Sequence, residues 1–550
     1  MLALVVALLG FSSAGAAASE SGSVLAWGYN ADGELGNGGT ASSTVPAPVS
    51  GGMIPPGTTF TRVAVGAVHS LALSATGQLY AWGDNAFGEL GDGTTTGAHM
   101  PVAVAAGAIP AGTKIAEIAG GSGFSVALSA SGQLYAWGYN RHGELGDGTT
   151  TDSNVPVAVS AGDIPPGTKI TQIAAGDRHS LALSSTGQLY AWGHNTYGQL
   201  GKGTITDSHV PVAVSAGAIP VGTRITQIAA GDIYSLALGS TGQLYAWGDN
   251  AFGELGDGTT TGAHVPVAVS AGAIPAGAQV TQIAAGFDHS LALSSTGQIY
   301  AWGYDDHGQL GINSVANTST PARVAMYDIP AGETIIQVAA GDNYSLALSA
   351  SGQLYSWGEN DYGQLGDGDT TDESVPEAAA LPAGAKLASL AGGSSASHRL
   401  ALTAGNGSGG GPVPVVSALK IAPRAFAAAP NGPSAAAASH PVGAEVTYTL
   451  TIAANVRFTA EQKLPGRVQG SGPSARCAAQ TRSNRRCTRL VSVRGSFTRA
   501  GSAGANRFRF TGRLGGRALK LGSYVLVATP TAAVKTGRPV VVGFQIVHGR

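Results

Sequence analysis

The sequence predicts an all-β protein: a closed ring of seven four-stranded units, its first and last strands paired with each other, followed by a small β-sandwich-like domain. Three observations predict it. All seven tryptophans, Trp27, Trp82, Trp137, Trp192, Trp247, Trp302 and Trp357, stand at a constant spacing of 55. Glycine makes up 83 of 550 residues and charged residues only 11%, where globular chains carry about 7% and about 25%. That composition suits short strands joined by tight turns. A hydrophobic fraction of 43% excludes a disordered chain, and glycine has no three-residue period, which excludes collagen. Finally, the net charge of −2 hides a division. Residues 1–402 hold 10 basic and 30 acidic residues, residues 403–550 hold 20 basic and two acidic (Glu445 and Glu461). The reversal marks a domain boundary.

In chain order, residues 1–18 come first, with an apolar run from Leu2 to Phe11 and small residues that fit an A-x-A cleavage site at Ala14-Gly15-Ala16 and Ala16-Ala17-Ala18. This predicts a signal peptide and an exported protein, although a basic leading segment is missing. The run is too short to span a bilayer, and no other segment reaches about 18 apolar residues, so no transmembrane segment is expected. The repeats occupy residues 22–404. One cycle reads as four strands, Ile225–Ala230, Ser235–Leu238, Leu244–Trp247 and Val265–Val269, with a turn at Ser240-Thr241-Gly242. Ala229 and Ala230 make the first strand small, as suits a crowded axis. Four strands cannot bury both faces alone, whereas repetition around a ring can. The first cycle begins at its third strand (Val24–Trp27) and the last stops after its second (Leu387–Leu390, Arg399–Leu402). Six complete units and one composite unit make seven, closed by the chain's two ends.

The cycles carry variants of W-G-x-N-x-x-G-Q/E-L-G-x-G, as at residues 192–203, and of A-A-G-x-x-H-S-L-A-L, as at residues 174–183. Over residues 22–404 this pattern resembles the regulator of chromosome condensation repeat family, and the resemblance implies a seven-bladed β-propeller. LYAWGDNAFGELGDGTTTGAH occurs twice, 165 residues apart. Recent duplication suits a scaffold better than a single asymmetric active site.

Strand alternation puts the turn between first and second strands and the loop after Trp-Gly on one face of the disc. These segments differ most among repeats. The position after Trp-Gly holds Tyr29, Asp84, Tyr139, His194, Asp249, Tyr304 and Glu359. Two or three residues on stand Phe87, Arg141, His142, Tyr197, Phe252, His307 and Tyr362. The turns add Arg178, Tyr234, Asp288 and Tyr344. Aromatic, Arg and His residues on loops predict a protein-binding face; solvated loop tips are the plainer alternative. For His69, His179, His289 and His398, packing against a neighbouring unit is expected, because Tyr and Phe replace His in other repeats. The tryptophans are expected in the core. A plant branch of the resembling family uses a tryptophan cluster to sense light, but no repeat here has a second tryptophan. Asp92, Asp147, Asp257 and Asp367 in Gly-Asp-Gly lack EF-hand spacing and read as turn residues bonding their own backbone.

No H-E-x-x-H, G-x-S-x-G, phosphate-loop or dinucleotide motif is present, so no enzyme, cofactor or metal is expected. The acidic ring argues against nucleic acid. Residues 405–412 read as a Gly/Ser linker. Residues 413–550 read as about seven strands, VSALKIAP, EVTYTLTIAA, RFTAEQ, RLVSVRGSFT, ANRFRFTGRL, GSYVLVATP and VVVGFQIV, interrupted by an Ala/Pro stretch at Ala425–Ala438. Cys477 and Cys487, a close pair in an exported chain, predict one disulfide. The segment resembles the basic all-β module appended to secreted proteins of high-GC Gram-positive bacteria. Arg482, Arg485, Arg486 and Arg489 form solvated surface charge, or a patch for anionic wall polymer or lipid headgroups, with nucleic acid the remaining alternative. Together these readings predict a secreted or envelope-associated monomer, a non-enzymatic scaffold binding an unknown protein partner. The alternatives are a nucleotide-exchange regulator of a GTPase, as in the resembling family's nuclear member, or a carbohydrate-active propeller enzyme.

Overall fold

The computed structural model describes residues 22–404 and, beyond them, 416–423, 425–426, 444–450, 454–469, 476–478, 486–493, 497–501, 504–510, 513–514, 517–532, 535–536 and 540–546. The chain forms two compact units, Met1–Gly405 and Asn406–Arg550. The expected signal peptide (1–18) and linker (405–412) lie outside the described residues.

The first unit is the seven-bladed ring. Six antiparallel four-stranded sheets follow one another in sequence. In the fourth blade the strands are Ile225–Ala230, Tyr234–Gly239, Leu244–Gly248 and Ala263–Ala268. The outer strand begins two residues earlier than the β-branched run predicts, because Ala263 pairs with Gly248 across a register shift. Each outer strand carries a proline (Pro266 here) at the sheet edge, where a missing N–H is tolerated. The seventh blade takes Leu387–Leu390 and His398–Thr403 from the end of the ring, and Val24–Gly28 and Ser43–Pro48 from its start. Val24 pairs with Leu402 and Gly28 with His398, which closes the circle.

The hydrophobic core lies between blades. The cluster around Trp192, for example, joins Phe124, Leu134 and Leu145 of the second blade to Ile170, Ala182 and Tyr190 of the third. Every tryptophan is fully buried. Each indole N–H also donates to a main-chain carbonyl of the preceding blade: Trp82 to Glu34, Trp137 to Glu89, Trp192 to Glu144, Trp247 to Gln199, Trp302 to Glu254, Trp357 to Gln309 and Trp27 to Gln364, at 2.7–2.9 Å. The glycine that follows is required by this approach. Gly201 has φ +65°, and a Cβ there would lie 2.8 Å from the Trp247 Nε1. The buried histidines add a second ring. Nε2 of His69, His179, His289 and His398 bonds the hydroxyl of Ser125, Ser235, Ser345 and Ser70 in the next blade at 2.9–3.0 Å.

The second unit holds a three-stranded sheet of Val416–Ala422, Ala444–Leu450 and Gly504–Phe510, and a larger sheet built on Ala454–Gln469 and Gly522–Ala532. Side chains from both sheets share one core, including Val446, Tyr448, Phe458, Phe510, Leu526 and Phe544. Two expected strands are redrawn. RFTAEQ belongs to a strand of 16 residues, hidden by Pro465 and its polar neighbours. RLVSVRGSFT is two strands, Arg486–Ser492 and Phe497–Gly501, which pair with different stretches of that long strand.

Candidate functional site

The turns between first and second strands and the loops after Trp-Gly meet on one face, as expected. The main chain links them: His194 N–H donates to Arg178 O at 2.8 Å, and Tyr139 N–H to Gly123 O at 2.8 Å. Each loop after Trp-Gly is fixed by an asparagine or its stand-in. In the third blade Asn195 Oδ1 accepts from Leu200 N–H at 2.9 Å, and its amide nitrogen bonds Thr204 O and Thr206 O. The following Glu or Gln folds back on its own loop, as Glu144 Oε2 accepts from His142 N–H at 2.8 Å. These buried supports hold the variable side chains on a rigid ring.

The variable positions meet across blade boundaries. Ring centroids lie 4.9 Å apart for Tyr29 and Tyr362, 5.0 Å for Phe87 and Tyr139, 4.5 Å for His142 and His194, and 4.7 Å for Phe252 and Tyr304. Phe87, Tyr197, Phe252 and Tyr362 remain 37–44% exposed. Arg141 and Arg178 both stand 5.9 Å from the Tyr139 ring, and Arg178 pairs with Asp177 at 3.2 Å. Asp84, Asp249, Asp288 and His307 are also partly open.

Three expected contacts are corrected. Tyr234 and Tyr344 are completely buried; they fill the slot that histidine fills in other blades and donate their hydroxyls to the carbonyls of His289 and His398. Glu359 is buried as well and accepts from the Asn343 amide at 3.0 Å. By contrast, Asp92, Asp147 and Asp257 serve their own turns, each accepting from the backbone and hydroxyl of the threonine two residues on at 2.8–2.9 Å.

Residues that the sequence reading missed complete the face. Asp177, Asp232 and Asp342 share one turn position around the axis, with Asp288 one residue on. Burial, then their mutual charge, raises Asp232, and burial raises Asp288 to about 7 and Asp342 to about 6. The Asp232 Oδ1 has no partner. Asp207 and Asp372 bind His142 and His307 through Nδ1 at 2.8 and 2.9 Å. The signal was a common offset of 65 residues, one repeat plus ten. The loop face thus has a sector of Tyr, Arg and His over the second and third blades and an acidic rim over the fourth to sixth.

Along the axis runs a channel of about 250 Å³ lined by the first strands, including Arg62, Glu117, Gln172, Gln227, Gln282 and Gln337. Gln172, Gln227, Gln282 and Gln337 each accept a backbone N–H from the next blade at 2.9–3.2 Å. Glu117 accepts from Ile173 N–H at 3.0 Å and is raised to about 7 by burial. In the basic unit, Cys477 and Cys487 face the same long strand, opposite Val468 and Gly466. The side chains of these cysteines and of Arg486 and Arg489, and all of Arg482 and Arg485, lie outside the described residues.

The family described as RCC1-like domain matches residues 5–219 and 166–408. The chain is 32% identical over 355 residues to the ultraviolet-B receptor UVR8 of Arabidopsis thaliana, covering 64% of this chain and 77% of that one. It is 32% identical over 400 residues to the human E3 ubiquitin-protein ligase HERC2, 72% of this chain but only 8% of that protein. Among solved structures, human WBSCR16 superposes with a TM-score of 0.61 at 22% identity, covering 70% of this chain and all of that one. Prp20p of Saccharomyces cerevisiae, described with its binding to Gsp1p and histones, gives 0.60 at 25%, covering 70% and 92%. Repeat, closure and these matches agree: the chain belongs to the RCC1-like domain family.

Proposed function

We propose that the protein is an exported, non-enzymatic scaffold whose loop face binds a protein partner while its basic C-terminal domain associates with the cell envelope. The carrying observation is the sector around Tyr139, where Arg141, Arg178, Phe87 and Tyr197 stand open on a rigid ring. Rigid aromatic and arginine anchors are the material of protein-binding hot spots. The yeast relative's binding to Gsp1p and histones supports protein recognition by this fold. The acidic rim beside the sector favours a partner that offers acidic and aromatic groups to one side and basic groups to the other.

The test is affinity capture from culture medium and envelope extract with the wild-type chain, Arg178→Glu/Tyr197→Ala, and Val221→Ala on the opposite face. A partner held by wild type and Val221→Ala but lost by the double variant supports the reading. Capture that ignores the loop-face change, or depends equally on Val221, overturns it.

A further inference from the structure

Four blade boundaries carry a pair of rings on the loop face, and three of those pairs are purely aromatic. The boundary between the second and third blades departs from this. It places two imidazoles, His142 and His194, with ring centroids 4.5 Å apart, beside the Asp207 carboxylate. Stacking does not ask for a carboxylate, and burying two basic rings together is unfavourable unless they share an acceptor.

We propose that His142, His194 and Asp207 form a binding site for a divalent transition-metal ion of the zinc type, clamping the second blade to the third on the loop face. One ligand atom from each residue lies within 4.8 Å of those of the other two. Tetrahedral zinc with bonds of about 2.0–2.1 Å needs ligand atoms roughly 3.4 Å apart, so small side-chain rotations close the site. Two imidazoles and one carboxylate are the donor set that favours zinc, nickel or copper over calcium or magnesium.

The surroundings orient the ligands. Asn195 N–H holds Asp207 Oδ1 at 2.9 Å, which aims Oδ2 at His142 Nδ1, 2.8 Å away. The Gln199 amide donates to His194 Nδ1 at 3.1 Å, and His194 Nε2 donates to Thr196 Oγ1 at 2.7 Å. That tautomer leaves Nδ1 as the acceptor nitrogen, where a metal would replace the amide donor. His142 and Asp207 are each 29% exposed, which gives an ion an entry path and leaves a coordination position open to water or to a carboxylate or imidazole from outside. Lys202 donates to the Asp207 carbonyl at 3.2 Å.

The repeat supplies its own fold-preserving control. His142→Phe/His194→Tyr recreates the Phe87–Tyr139 and Phe252–Tyr304 pairs. The full chain, stripped with chelator, is titrated with Zn²⁺ by calorimetry and melted with and without the ion, and Co²⁺ absorption reports coordination. The proposal expects one zinc per chain, a rise in melting temperature of a few degrees, a tetrahedral cobalt spectrum, and loss of all three in the double variant, whose metal-free melting matches wild type. His307→Phe, at the related His307–Asp372 pair, is expected to change none of them. Absence of stoichiometric binding in wild type, or binding unchanged in the double variant, overturns it.

Discussion

Trp192 shows how much one residue does here. Its ring fills the space between two blades, and its N–H bonds Glu144 O at 2.9 Å. Trp192→Ala is therefore expected to cost about 3–5 kcal/mol in urea unfolding, with the orphaned carbonyl pushing toward the upper end. The periodicity made the tryptophan legible as core, but not as a donor to the preceding blade, because the contact spans 48 residues. The same limit explains Tyr234 and Tyr344: an aromatic residue on a turn has the same sequence signature whether it points out or inward, and only the histidines replacing it in other repeats hinted at the buried slot. Glu34, Glu89 and Glu144 are raised to about 7 and Glu254 to about 8, all by burial. An unfolded glutamate near 4.5 releases its proton first, so the folded chain holds more protons between about pH 4.5 and 7. These groups therefore favour the fold at low pH and lose stability as pH rises through that window. Replacing all four with Gln, the residue already at 199, 309 and 364, should raise the melting temperature relative to wild type near pH 8, and the gain should vanish near pH 4.5. A gain independent of pH would reject the burial account. The buried His69, lowered to about 4, and His179, His289 and His398, lowered to about 3, act in the opposite sense. Their contribution is full above pH 6.5 and falls on acidification.

At the scale of elements, strand number, order and the composite blade were legible, since hydrophobic runs and Gly punctuation recur seven times. What was not legible is the loop-face pairing, made between residues 52 apart in neighbouring blades, as for His142 with His194. Nor could the 16-residue strand be read through Pro465, since pairing of the strand to four partners overrides local propensity. The loop after each tryptophan tolerates little. Gly201 combines φ +65° with close approach to Trp247, so Gly201→Ala should destabilise the ring by more than the roughly 1 kcal/mol typical of a point change. Gly222→Ala also has positive φ but meets no atom within 4 Å, and is expected to cost less in the same denaturation series. Equal losses at the two sites would remove the steric part of the argument.

For the whole molecule, the opposed charges of the two halves were readable by counting alone, whereas their use was not. If the basic domain carries envelope association, the full chain should sediment with vesicles containing anionic lipid at low salt. It should release as the screening length falls from about 10 Å at 0.1 M to about 3 Å at 1 M. A chain ending at residue 404 should stay in the supernatant throughout. Retention of the shortened chain would assign attachment to the ring instead.

The composite blade also sets an order of events in time. Val24–Gly28 can pair early with Ser43–Pro48 but cannot meet His398–Thr403 until residue 403 has been made, so its other sheet edge stays open through synthesis of nearly the whole ring. During that wait the chain offers wrong partners, because HSLALS occurs as a second strand three times, at His69–Ser74, His179–Ser184 and His289–Ser294. Pairing with any of them would close a smaller ring. The true closing strand reads HRLALT. Its Arg399 stands opposite Trp27, where the internal copies have serine, and lies fully buried 4.5 Å from the Tyr344 ring. A buried arginine is a costly way to fill a serine's place, but it gives the last strand a shape no internal repeat can imitate, so a chain built from near-identical pieces carries a mark of where it ends.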